Sequence, residues 1–158
     1  MKVFNIIHEP TGPLYCALLD LLASRAETFS VVWRGQLDFS KNANRLTQDM
    51  KPYLEQEHMT NRWPGTILMG HKATVRKYRI TPESLEFLKA TKRLYAWLAP
   101  DFPEDLAFYD SNNNCIFGSI SHEKDAFVSG TVFSKELLTN GAPGLAFDAG
   151  EIEEEFLT

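Results

Sequence analysis

The 158-residue sequence predicts a single α+β domain, a mostly antiparallel sheet of hairpins with about three helices packed against it. Three observations carry this expectation. Runs rich in β-branched and aromatic residues come in pairs around Gly-, Asn- or Asp-rich turns, without a regular strand–helix alternation. Three longer segments space their apolar residues as a helix does. The chain is 44% apolar and 23% charged, close to the globular average. A domain of this size buries about 70% of the surface its unfolded chain exposes, so a core needs no staples.

Lys2 to Ile7 reads as a strand, and Thr11-Gly12-Pro13 as a turn that starts a helix. Leu14, Leu18, Leu21 and Leu22, widened by Tyr15, Leu19 and Ala23, give that helix a broad apolar stripe up to Ala26. Phe29 to Arg34 reads as a strand. Ser40 caps a second helix with Ala43, Leu46 and Met50 on one face, interrupted at Pro52. Trp63-Pro64-Gly65 reads as a loop, and Thr66 to Met69 pairs with Ala73 to Ile80 as a hairpin across Gly70-His71-Lys72. Charge on both faces of the second strand places it near a sheet edge.

Thr81 caps the clearest helix, with Pro82 at its first position and Glu83 in its first turn. Its seam runs through Leu85, Leu88, Tyr95 and Leu98 to a stop at Pro100. Leu106 to Tyr109 and Cys115 to Ile120 flank Asp110 to Asn114 as a second hairpin. Asp125 to Ser129 adds a strand, and Lys135 to Thr139 one helical turn.

The formal charge is −5. Asp148, Glu151, Glu153, Glu154 and Glu155, with no Lys or Arg among residues 148–158, account for the whole excess of 21 acids over 16 bases. The expected organisation is therefore a neutral body, residues 1–147, and an acidic C-terminal tail, residues 148–158. Nucleic acid would repel such a tail. No run approaches the roughly 18 apolar residues of a membrane span, and the first ten residues do not read as a secretory signal. The expected location is cytoplasmic, where Cys16 and Cys115 stay reduced thiols.

No glycine-rich phosphate loop, nucleophile elbow or zinc spacing is present, and His8, His58, His71 and His122 sit in four separate segments. No cofactor, metal site or catalytic residue is expected. The stretch Ser119-Ile120-Ser121-His122-Glu123 is the most chemical in character. Its simpler reading is a polar turn after a strand, since a base and its nucleophile come from separate elements. The adjacent carboxylates Glu104 and Asp105 read as loop groups. Trp63 either packs onto the domain or anchors a partner. The tail is either solvated or a docking element that joins its charge to Ile152, Phe156 and Leu157.

Several segments resemble a family of small, largely uncharacterised bacterial proteins. They are Trp63-Pro64-Gly65-Thr66, Tyr78 to Leu85, Leu94 to Leu98, Pro100 to Leu106 and Ser119 to Glu123. The resemblance spans residues 29–128 and implies no cofactor or catalytic residues. Cys115-Ile116-Phe117-Gly118 departs from it, standing where a bulkier, often Trp-containing strand is expected. In size, acidity and lack of motifs the chain is also similar to immunity proteins of contact-dependent inhibition systems. The leading expectation is a protein-binding module that neutralises a cognate toxin, such as a basic nuclease, with no nucleic-acid or membrane partner. Its candidate contact residues are Trp63, Asp101, Glu104, Asp105, His122, Glu123, Glu151, Glu153, Glu154, Glu155 and Phe156. The alternatives are a cofactor-independent hydrolase with His122 as base, assisted by Glu104, Asp105 or Glu123, and a regulatory subunit of a larger assembly.

Overall fold

The computed structural model describes residues 1–158. In chain order it contains β1 (Lys2–Ile6), α1 (Gly12–Ala23), β2 (Thr28–Trp33), α2 (Lys41–Met50), β3 (Leu54–Thr60), β4 (Arg62–Trp63) and β5 (Thr66–Ile67). There follow β6 (Ala73–Arg79), α3 (Pro82–Lys89), β7 (Glu104–Tyr109), β8 (Cys115–Ile120), β9 (Asp125–Ser129), α4 (Lys135–Gly141) and β10 (Phe147–Glu151). Eight strands form one sheet in the order β10-β1-β9-β8-β7-β2-β6-β3, and β4 pairs with β5. Every ladder is antiparallel, as expected of an α+β domain built from hairpins. No helix is long and apolar enough to cross a membrane.

The sheet alternates its side chains between two faces. Phe29 and Val31 of β2, Tyr78 of β6, Leu106 and Phe108 of β7 and Val128 of β9 join Leu18, Leu19 and Leu22 of α1, Leu88 of α3 and Leu138 of α4 in the main core. Tyr15 lies fully buried there and satisfies polar groups from three places. Its hydroxyl donates to the Leu88 carbonyl (2.8 Å) and accepts from the Trp97 indole (3.0 Å) and from Thr91 (3.0 Å).

The opposite face is covered without α-helices. Val32, Ala73 and Val75 pack under Trp63 of β4. Val3, Ala107, Tyr109, Cys115 and Phe127 pack under Ile152 and Leu157. The acidic segment is thus built into the fold. Its first residues form β10, paired with β1 from Lys2↔Glu151 to Ile6↔Phe147. Beyond the strand, Ile152 donates to the Met1 carbonyl (3.0 Å), the Met1 amino group donates to the Ile152 carbonyl (2.7 Å), and Gly65 donates to the Phe156 carbonyl (2.7 Å). The expected boundary at residue 147 falls at the start of a strand.

Several local expectations change. The third helix ends at Lys89, since Lys92 takes a left-handed φ of 64°, and Leu94 to Ala96 form a separate 3-10 turn. Residues 66–69 do not pair with 73–80. Thr66–Ile67 folds back on Arg62–Trp63, and β6 lies between β2 and β3. β3, which the sequence reading left out, is the exposed edge strand.

Replacing Tyr15 by Phe leaves the buried Trp97 N–H without its acceptor. The expected cost is about 1–3 kcal/mol in urea unfolding, with an unchanged denaturant slope. A shift below about 0.5 kcal/mol would contradict this hydrogen-bond assignment.

Candidate functional site

The site begins with an irregularity in β7. The β2–β7 register pairs Ser30 with Ala107 but Val32 with Glu104, so β7 carries one extra residue. Asp105 lies within that bulge at φ 54°. Aspartate tolerates this left-handed region better than most residues. In a regular strand, neighbouring side chains point to opposite faces. Here carboxylate oxygens of Glu104 and Asp105 and a ring nitrogen of His122 all lie within 4.8 Å of one another. These are the groups capable of holding a metal ion.

Asp105 is held at both oxygens. The Trp63 indole donates to Oδ2 (2.9 Å) and the Ser121 backbone N–H donates to Oδ1 (2.9 Å). A buried indole N–H needs an acceptor, so this carboxylate fastens the β4–β5 hairpin and the β8–β9 turn to β7. Burial pushes its carboxyl up to about 6, against the pull of those two hydrogen bonds; the neighbouring Glu104 raises it further and His122 lowers it. Glu104 is equally buried, and its nearest cation is Arg34, with Nη1 3.7 Å from Oε2.

Ser121 to Lys124 make the β8–β9 turn, closed by Glu123 N–H to the Ile120 carbonyl (3.1 Å) and Lys124 N–H to the Ser121 carbonyl (3.2 Å). Ser121 is buried within it, whereas His122 and Glu123 are exposed and stand 3.5 Å apart. The two buried acids therefore sit beneath one solvent-facing imidazole. The five principal cavities are lined by other residues than Glu104, Asp105 and His122.

The candidate contact residues divide by burial. Trp63, Glu104 and Asp105 are 3%, 3% and 2% exposed, so none of the three presents a surface to a partner. The indole packs inward on Val32 and Val75, and the two acids lie under the turn. Asp101, His122, Glu123, Glu151, Glu153, Glu154 and Glu155 are exposed. Phe156 is half-buried, its carbonyl bonded to Gly65. The sequence reading missed Arg34 and Lys77. Lys77 is a buried lysine whose ammonium lies 3.6 Å from the Tyr109 ring centroid and donates to Asn113. Burial lowers its pKa. Its place in an alternating strand was the available signal.

No family model, curated protein or solved structure matches the chain.

Above pH 6 the fold must hold an ionised Asp105 in a buried site. Between pH 6 and the ordinary 3.8 the native state binds this proton and the unfolded chain does not, so stability rises as pH falls through that window. The stability difference between wild type and Asp105→Asn should shift toward wild type from pH 7 to pH 5 by on the order of 1–2 kcal/mol in urea unfolding. A flat difference would contradict the assignment.

Proposed function

We propose that this domain is a protein-binding module that neutralises a bacterial toxin domain by seizing a basic surface on it, as an immunity protein does. One observation carries the reading: the acidic segment is fastened to the sheet with its carboxylates outward. Asp148, Glu151, Glu153, Glu154 and Glu155 are exposed, while Ile152 and Leu157 between and beyond them are turned onto the second face. A fixed anionic surface orients an incoming cationic partner before contact and raises the association rate. It also spares the ordering entropy that a loose tail would lose on binding. Asp101, His122 and Glu123 supply further exposed polar groups.

The convergence of Glu104, Asp105 and His122 favours a second reading, a hydrolase with His122 as base. That reading needs a bed for substrate beside the imidazole. The principal cavities lie elsewhere, so binding is the better-supported role. A subunit role in a larger assembly is the third reading. It draws on the exposed β3 edge, where Met59 is 61% exposed.

Co-expression with a growth-inhibiting toxin domain encoded beside this chain tests the proposal, and wild type is expected to restore growth and bind the domain directly. The triple replacement Glu153→Gln, Glu154→Gln, Glu155→Gln leaves the buried anchors in place. It should slow association by about tenfold at low salt, with the gap closing as salt screens the surface. Wild type that neither binds nor rescues would overturn the reading.

A further inference from the structure

The Glu104–Asp105–His122 group carries more charge than its surroundings compensate. Both carboxylates are buried, and Glu104 Oε2 accepts no hydrogen bond. Ser121 Oγ, on the residue whose N–H bonds Asp105, is buried and equally without a partner. Arg34 stands 3.7 Å from Glu104, beyond hydrogen-bond reach. Its Nη2 and Nε instead donate to the Gln36 side-chain oxygen (3.0 and 3.2 Å) when that amide is turned to face them. Glu104 thus has one guanidinium at the edge of ion-pair range and Asp105 has no basic side chain in ion-pair contact, and a weakly compensated buried charge is costly.

We propose that Glu104, Asp105 and His122 bind a divalent first-row transition-metal ion of the Zn²⁺ or Mn²⁺ type. Ligand atoms each about 2.1 Å from a common ion lie within about 4.2 Å of one another. The three atoms here already lie within 4.8 Å of one another, and the exposed His122 ring is the one member of the set not packed in the interior. An imidazole with two carboxylates suits such an ion better than Ca²⁺ or Mg²⁺, which prefer all-oxygen shells. Each Asp105 oxygen accepts one hydrogen bond and keeps a second lone pair for the ion. The Trp63 and Ser121 N–H groups orient that carboxylate, as outer partners do in metal sites. Three protein ligands leave a fourth position for water on the solvent side. The metal proposal does not rest on the toxin-binding reading.

The test strips the purified full chain with chelator and titrates it with ZnCl₂ and, separately, MnCl₂ by calorimetry. The expected result is saturable uptake of one ion per chain by at least one of the two metals. Affinity should fall at least about tenfold in Glu104→Gln and in His122→Ala, and stay unchanged in His8→Ala, which alters an exposed histidine outside the cluster. If Glu104→Gln does not fold, His122→Ala at its exposed turn position decides. The same ion should raise the melting temperature of wild type and not of His122→Ala. No saturable uptake of either ion by wild type, or undiminished affinity in His122→Ala, would overturn the proposal.

Discussion

A sheet of eight strands has two faces to shield from water, and the helices of this chain cover only one. The main core joins α1, α3 and α4 to one side of the sheet. Val3, Val32, Val75, Ala107, Tyr109 and Phe127 line the other. At roughly 25 cal/mol per Å² of apolar surface, leaving such a face wet would remove much of a marginal stability. Two short pieces of chain cover it, the β4–β5 hairpin with Trp63 and the segment after β10 with Ile152 and Leu157. The Gly65 N–H to Phe156 carbonyl bond ties the two covers together. Because β10 and this C-terminal cover together carry five exposed acids, the need to shield the sheet also fixes a charged surface.

The same requirement shapes the buried polar site. Once Trp63 is pressed onto the sheet, its indole N–H must be satisfied, and Asp105 Oδ2 does so. The β7 bulge aims that carboxylate, and the β8–β9 turn closes over it through Ser121. Two acidic groups are thereby drawn inside, at a cost partly offset by hydrogen bonds at Asp105 and by Arg34 at Glu104, whose Oε2 accepts no hydrogen bond. An imidazole at the rim makes this group chemically distinct from an ordinary structural cluster. The acids of residues 148–158 and the buried site share a scaffold, and His122 stands on the rim between buried site and solvent.

The legible parts of the sequence were those set by local chemistry. Thr81, Pro82 and Ser84 build a capping box that needs no tertiary information, and Asp110 to Asn114 closes β7 on β8 through bonds from the Asn112 and Asn114 N–H groups to Asp110 Oδ1. Helical apolar spacing carried the seam through Tyr95 and Leu98 and left out Trp97, which is fully buried, because a left-handed Lys92 had already ended the helix. β3 was invisible because Glu55, Gln56, Glu57 and His58 look like solvent-exposed loop. Its support is cross-strand, in Arg76–Glu57 (2.6 Å) and Arg79–Glu55 (3.7 Å). Ile152 and Leu157 stood out as apolar anchors, but the surface they dock on is the chain's own sheet, which spacing alone does not reveal. Glu104, Asp105 and His122 were each singled out in the sequence. Their convergence depends on a one-residue bulge that composition and spacing do not encode.

The central claim is that the acidic segment is a fixed cover of the sheet and not a loose tail. Hydrogen exchange of the free protein at the Gly65 and Ile152 amides tests it most directly. Their hydrogen bonds, to the carbonyls of Phe156 and Met1, form only while the segment is docked. The account predicts exchange far slower than that of an unstructured peptide at both positions. Exchange of both amides at unstructured-peptide rates, with the β7 and β8 amides still protected, would contradict it.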